Sequence, residues 1–322
     1  MQEEVYILTG CAGFIGSHLT EALLAQNNKV VGIDNFCDFY SPNIKRKNIA
    51  ESIKNENFIL AEEDIRDVTA LRNVFQQHKV KGVIHLAAMA GVRPSIAKPS
   101  LYNEVNISGT MNILELMKEF GVKKFIFASS SSVYGNNKKV PFAETDNVDK
   151  AISPYAATKK AGEVIAHTYH HLYNIDMALL RFFTVYGERQ RPDLAIHKFT
   201  KMIANGESIP FYGDGSTCRD YTYIDDIVDG ILKALTHIER NKDVYEILNL
   251  GESETISLQE MVATIEKALN KKAKINKLPM QPGDVCQTYA DISKAKELIG
   301  YSPKTDFKEG IEKFVDWFKN RE

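Results

Sequence analysis

The chain has 322 residues, of which 44% are hydrophobic and 25% charged, with a formal net charge of −2. That length suits one large α/β unit or two coupled lobes, and the composition is ordinary for a globular protein. The near-neutral charge gives no electrostatic reason to expect nucleic acid or an anionic membrane as partner. No apolar run is long enough to span a bilayer and no leader precedes the first strand, so a cytoplasmic setting is expected. Four scattered cysteines (Cys11, Cys37, Cys218, Cys286) form no Cys-x-x-Cys pair, so neither a metal site nor a disulfide framework is expected.

Residues 5–8 form an apolar run that leads into Thr9-Gly10-Cys11-Ala12-Gly13-Phe14-Ile15-Gly16, and a helical pattern follows over 17–26. This reads as strand, glycine turn, helix. Glycines accept positive φ and let a phosphate approach the backbone closely. The helix start offers free N–H groups and the positive dipole end to a pyrophosphate. A second apolar run, 30–33, ends at Asp34, about 20 residues on, where an acid can hold an adenosine ribose 2′-OH. The spacing is Gly-x-x-Gly-x-x-Gly, which differs from the commoner Gly-x-Gly-x-x-Gly fingerprint.

Strand and helix patterns then alternate. Residues 58–61 read as a strand ending near Asp64-Ile65-Arg66-Asp67, 68–78 as a helix and 82–88 as a buried strand. A long amphipathic helix at 101–120, a strand at 124–128, a helix at 155–173 and a strand at 177–183 follow. Such alternation predicts a parallel sheet with helices on both faces, and ligands outside the carboxyl ends of the strands. Asp64, Ala87-Ala88, Ser129 to Ser132 and Thr184 fall just past those ends. After Gly187 the pattern breaks. A charged loop at 188–192 precedes a helix at 196–204, a strand at 209–212 and the polar turn Gly213-Asp214-Gly215. A strand at 221–224, a helix at 225–235 and tail helices at 257–269 and 293–299 complete the chain, with Pro279 and Pro282 between the last two. The expected fold is α/β, a Rossmann-type doubly wound parallel sheet formed by 1–180 plus about 222–250. A smaller C-terminal α/β lobe is expected from 181–221 and 251–322, sharing an interface with the first.

In Tyr155-Ala156-Ala157-Thr158-Lys159 a tyrosine and a lysine lie four apart, on one helix face. A free phenol, with a pKa of about 10, is a poor base at neutral pH. A neighbouring ammonium favours the phenolate, which makes Tyr155 a proton acceptor for a hydroxyl. The spacing alone fits a solvated helix face as well. Upstream, Ser129-Ser130-Ser131-Ser132-Val133-Tyr134-Gly135 directly follows a strand. Its hydroxyls could hydrogen-bond a reacting oxygen or simply make a serine-rich turn. The histidines show no metal-ligand spacing, and the adjacent His170 and His171 face different directions.

Taken together and in this order, the glycine turn, Asp34, Asp64, the serine cluster and Tyr155/Lys159 resemble the extended short-chain dehydrogenase/reductase family. Within it they resemble the nucleotide-sugar epimerases and dehydratases, over essentially the whole chain. The resemblance implies NAD held by Gly10, Gly13, Phe14, Ile15, Gly16, Asp34, Asn35, Asp64, Ile65, Leu86, Ala87, Ala88, Asn106, Tyr155 and Lys159. It implies Tyr155 as acid/base and Lys159 as the group that holds the nicotinamide ribose and lowers the tyrosine pKa. Ser130, by its distance from Val-Tyr-Gly, is the implied assisting hydroxyl, with Ser132 close by. The charge of Asp34 stands where a 2′-phosphate would sit, which favours NAD over NADP.

Four motifs resemble the UDP-glucuronate 4-epimerases more narrowly: His85 to Arg93, Tyr155 to Lys160, Arg181 to Gly187 with Arg191 to Ala195, and Leu278 to Asp284. Two departures occur. Glu188-Arg189-Gln190 stands where a Pro-containing run is expected, and Pro94 follows Arg93 where an aromatic is common. The resemblance implies a UDP-sugar site of Arg93, Ser130, Ser132, Thr184, Arg191, Tyr212, Arg219, Gln281 and Asp284. In it Arg219 binds the diphosphate, unless it is a surface arginine beside Asp220. Tyr212 stacks on uracil or packs in the core. Thr184 and Ser132 meet a sugar carboxylate, Arg191 contacts nucleotide or sugar, and Arg93 lines the pocket or salt-bridges outside it.

The implied reaction is inversion of C4 of UDP-glucuronate through a 4-keto sugar, with NAD regenerated each cycle. Decarboxylating relatives carry glutamate just before Val-Tyr-Gly, where this chain has Ser132. The alternatives are C4 epimerisation of neutral UDP-sugars, 4,6-dehydration, which wants an Asp-Glu pair where Ser131-Ser132 stand, and a catalytically inactive NAD-binding regulator, against which Tyr155 and Lys159 argue. A homodimer through 101–120 and 155–173 is also implied.

Overall fold

The computed structural model describes residues 3–279 and 287–321. The first six strands are β1 (Glu4–Thr9), β2 (Lys29–Ile33), β3 (Phe58–Ala61), β4 (Lys79–His85), β5 (Lys124–Ser130) and β6 (Asp176–Phe182). The later ones are β7 (Thr184–Tyr186), β8 (Ser208–Tyr212), β9 (Cys218–Arg219), β10 (Tyr221–Tyr223), β11 (Tyr245–Leu250), β12 (Ile256–Ser257) and β13 (Lys274–Leu278). Seven of them form one sheet in the order β11-β6-β5-β4-β1-β2-β3. Every pairing in it is parallel. This is the doubly wound order, whose direction reverses at β1 and β4 and opens a crevice there.

The sheet is covered on both faces, so its strands read as nearly unbroken apolar runs. All seven residues of β6 are buried. Successive side chains point to opposite faces. Leu8, Ile84, Ile126 and Leu180 join the core on one side, and Ile7, Val83, Phe125 and Leu179 join the core on the other. The first side is closed by helices Phe14–Ala25 and Ile224–Arg240, the second by Val68–Gln77, Gly109–Glu119 and Pro154–Tyr173. Three two-stranded sheets lie outside: β10 with β7, β12 with β9, and β13 with β8.

Four elements differ from the sequence reading. The helix expected at 101–120 is interrupted. It runs as Pro99–Asn103, a π-helical turn Glu104–Ser108 and Gly109–Glu119. Gly109 permits close approach, since a Cβ there would lie 2.6 Å from Ile65 Cδ1. The strand expected at 82–88 stops at His85, which frees 86–91 as a loop at the crevice. The seventh strand, β11, was not separated in the sequence. The helix Phe307–Lys319 was also missed, although Phe307, Ile311, Phe314, Val315 and Phe318 keep helical spacing and Asp306 caps it by accepting from Lys308 N and Glu309 N.

Beneath the crevice the core holds an ion pair. Arg181 on β6 and Glu163 on the 154–173 helix both have side chains only 1% exposed, and their fork is bidentate at 2.8 and 2.9 Å. Ser129 Oγ donates to the same carboxylate at 2.6 Å, and Arg181 donates to Tyr134 Oη at 3.0 Å. Tyr134 donates on to Asn249 of β11 at 2.7 Å. Burial works against the Glu163 charge, yet the Arg181 bonds hold its carboxyl below the usual range. Removing one partner of such a pair leaves an uncompensated buried charge, at a cost of about 3–5 kcal/mol. Arg181→Met should therefore lose about that much stability in urea unfolding. A loss under about 1 kcal/mol would contradict the role given to the pair.

Candidate active site

A cavity of about 750 Å³ opens past the carboxyl ends of β1 to β6. Its inner wall is the glycine turn. Gly10 has φ +73°, and a Cβ there would sit 2.8 Å from Ala87 N. A Cβ on Gly16 would overlap the Gly10 carbonyl oxygen. The helix that follows starts at Phe14 with no side-chain cap and no acid in its first turn. Its end N–H groups and dipole are therefore open to an anion.

Asp34 closes one end. It is 8% exposed, and its two oxygens accept from Ala12 N at 3.1 Å and Phe36 N at 2.9 Å. Burial pushes its carboxyl up, against the pull of Lys45 4.0 Å away. Asp64 lies on the rim, where Arg66 forks onto it and Asn35 donates at 2.8 Å. The Arg66 bonds bring its pKa to about 2. Ile65, Leu86, Ala87 and Ala88 line the middle. Cys37, Phe39, Tyr40 and Lys45 also line this end. The sequence reading missed them because they follow no phosphate-type or catalytic spacing.

Ser130, Tyr155, Lys159, Thr184 and Arg191 meet at the other end. Local signals place Tyr155: Ser153 caps the helix by accepting from Ala156 N at 3.1 Å, and Pro154 takes the first turn. Pro fits there because its missing N–H would be unused. Burial raises the Tyr155 pKa, while a Ser130 hydrogen bond and the Arg191 charge oppose the rise. Lys159, one helical turn on, is 4% exposed and donates to Ala128 O at 2.7 Å. Burial lowers its pKa to about 7. Ser130 ends β5 and accepts from Ser132 N at 3.2 Å. Ser132 itself does not line the cavity.

Asn106 does not line it either. It is buried in the π-helical turn, where its amide joins Met89 N and O at 2.8 and 2.9 Å and Thr158 Oγ1 at 3.0 Å. It thus ties the loop after β4 to the tyrosine helix. Beneath it, His85 bridges Thr9 Oγ1 at 2.7 Å and Thr110 Oγ1 at 3.0 Å. Burial, with the Lys159 charge, holds His85 neutral, with a pKa of about 3. No spacing in the sequence singled out this relay.

Arg191 stays on the crevice wall, and the other expected substrate residues are dispersed. Arg191 forks onto Asp193 at 3.0 and 2.7 Å and lies over the Phe39 ring. Arg93 lies over the Tyr212 ring, 5.4 Å from its centroid, away from the cavity lining. Arg219 donates to Cys218 O at 2.8 Å on β9. Gln281 and Asp284 lie outside the described residues. Among the described residues no His, Cys, Asp and Glu cluster could hold a metal, and no helix is long and apolar enough to cross a membrane.

A glycine cradle, a buried acid after β2 and a Ser-Tyr-Lys end in one crevice define a Rossmann-type enzyme of the short-chain dehydrogenase/reductase class. A family model described as GDP-mannose 4,6 dehydratase matches residues 7–314. A UDP-glucuronate 4-epimerase of Thermodesulfobacterium geofontis is 44% identical over 98% of this chain and 96% of its own. The crystal structure of UDP-glucuronic acid 4-epimerase from Bacillus cereus, in complex with UDP-glucuronic acid and NAD, superposes with a TM-score of 0.92 at 39% identity, covering 99% of each chain. UDP-glucose 4-epimerase of Thermotoga maritima, with UDP-glucose, gives a TM-score of 0.90 at 32% identity over 99% of each chain. The chain belongs to this family of nucleotide-sugar epimerases and dehydratases.

The lysine makes a pH prediction for cofactor-free protein. With a folded pKa of about 7 and an unfolded value of about 10.4, the unfolded chain binds the extra proton between the two. Stability then rises with pH across that window and is lost as pH falls through 7. Thermal unfolding between pH 7 and 10 should show the rise, and Lys159→Met should flatten it. An unchanged slope in the variant would remove Lys159 as its source.

Proposed function

We propose that this enzyme inverts C4 of UDP-glucuronate to give UDP-galacturonate, with one NAD retained through the cycle. The observation that carries the reading is the single crevice in which the glycine cradle and Asp34 face Ser130, Tyr155, Lys159 and Thr184. Relatives of the same fold and length, crystallised with UDP-glucuronic acid and NAD, support it. The open helix start and the Cβ-free approach at Gly10 and Gly16 fit a pyrophosphate. The buried Asp34 fits a ribose diol and disfavours a 2′-phosphate. Bound NAD supplies a hydride acceptor and donor at C4.

The chain's own residues do the rest. Tyr155 takes the proton from the C4 hydroxyl, and Ser130 hydrogen-bonds the same oxygen. In cofactor-free protein Tyr155 sits above its ordinary pKa, so positive charge from a charged Lys159 and from the cofactor ring must bring it down. After the 4-keto sugar turns over, Tyr155 returns the proton. The C6 carboxylate is β to that ketone and prone to leave as carbon dioxide. Ser132 stands where decarboxylating relatives have glutamate, and Thr184, on the crevice wall, is the chain's hydroxyl for the carboxylate. Residues 1–180 with about 222–250 bind the cofactor. Residues 181–221 and 251–322 take the UDP-sugar, with Arg219 at the diphosphate, Tyr212 on the uracil and Arg191 at the nucleotide or the sugar. Met111, Val164 and Leu172 are 42%, 56% and 56% exposed on the helices flanking the site, and we propose that they are covered in a homodimer. The described cysteines are unpaired, which fits a reducing cytoplasm.

UDP-glucuronate incubated without added cofactor should yield UDP-galacturonate by NMR. Interconversion of UDP-glucose or UDP-N-acetylglucosamine alone would move the substrate to the neutral sugars, and a UDP-pentose as main product would make the enzyme a decarboxylase. Tyr155→Phe should lower turnover by at least about 10²-fold, the scale of acid–base catalysis, and still copurify with NAD. Full activity in that variant would remove Tyr155 from the mechanism. Sedimentation of Val164→Glu should show a monomer where the native chain is a dimer, whereas a native monomer would contradict the dimer.

A further inference from the structure

A second cavity, of about 320 Å³, lies beside the loop 187–191 and shares no lining residue with the first. Its walls come from the helix after the glycine turn, the start of the 224–240 helix and the C-terminal helix. The Glu188-Arg189-Gln190 run that departs from the subfamily pattern forms one side. The loop is firmly held. Gln190 N donates to Gly187 O at 3.1 Å, Gln190 Nε2 donates to Val185 O at 3.1 Å, and His18 Nε2 bonds Glu188 O at 2.9 Å. Arg189 is set in the left-handed region, with φ +62°. Non-glycine residues adopt that conformation only where surrounding structure imposes it.

The two arginines of this cavity are incompletely paired. Arg189 Nη2 donates to Glu21 at 2.7 Å, but its Nη1 is buried without a partner. Arg321 lies over the Trp317 ring, 5.1 Å from the centroid, and among the described residues makes no ion pair. Partial burial and the neighbouring Arg189 charge push the Arg321 pKa down, against the pull of Glu21. Two acids, Glu188 and Asp225, stand in the same walls, with His18 and Lys313 beside Asp225. Glu188 accepts from Tyr223 Oη at 2.7 and 2.9 Å, and Asp225 lies in the field of Lys313. We infer that Arg189 and Arg321 form a binding site for a small oxyanion, a phosphate or carboxylate group, seated against Trp317 and separate from the catalytic crevice. A guanidinium with unused donors binds either group through charge-assisted hydrogen bonds.

Trp317 is the chain's single tryptophan, so its fluorescence reports this cavity. Holoenzyme saturated with UDP-glucuronate, to occupy the catalytic crevice, is titrated with inorganic phosphate and separately with acetate, at ionic strength held constant with chloride. Saturable change with either anion is expected, and the anion that saturates identifies the group. In Arg321→Gln, whose parent side chain is at the surface, half-saturation should rise at least about tenfold, equivalent to one charge-assisted hydrogen bond. Arg189→Gln should do the same, with its melting temperature checked against the native chain. Linear drift with both anions, or a saturation identical in the native chain and Arg321→Gln, would overturn the site.

Discussion

A guanidinium in a protein core must be answered, or the fold around it fails. Arg181 is answered by Glu163, and the consequences reach most of the catalytic end. The pair fixes β6 to the tyrosine helix. Ser129 on the same carboxylate fixes the end of β5, one residue before Ser130. Tyr134 and Asn249 carry the network to the outer strand β11, and Asn249 Nδ2 goes on to Phe142 O and Asp291 O. Proton transfer needs donor and acceptor within hydrogen-bond reach. A charged network with its donors and acceptors used holds three elements to that tolerance better than apolar packing would, because its geometry is directional.

Above that frame the electrostatics are set against the resting protein. Burial drives Tyr155 toward the neutral phenol and Lys159 toward the neutral amine. Both shifts oppose the charge state needed for proton abstraction. NAD held in this crevice would supply, through its cationic ring and ribose hydroxyls, what burial removes. This is the physical reason to expect NAD to remain bound across turnovers: without it, the chain holds an expensive lysine and an unreactive tyrosine.

Much of this was legible in the sequence. The apolar runs with no alternation gave the parallel sheet, because strands covered on both faces carry no period of two. The glycine turn, Asp34 and Asp64 were legible as positions just past strand ends, and they line the crevice. Other parts were not. Asn106 was expected at the cofactor and instead bonds backbone and Thr158, a role that depends on a π-helical turn no spacing announces. His85 and Glu163 act through partners far apart in sequence. The Arg93 guanidinium on Tyr212 is likewise a tertiary contact between residues more than a hundred apart. Local chemistry was readable; chains of long-range polar contacts were not.

The central claim is that the C4 hydrogen leaves and returns as hydride, with Tyr155 handling only the hydroxyl proton. Its most direct test is the fate of that hydrogen. UDP-glucuronate carrying deuterium at C4 is turned over in ordinary water, and the product is examined by NMR. The account predicts UDP-galacturonate with deuterium still at C4. Loss of the label to solvent would mean that C4 is deprotonated, which would contradict the hydride route.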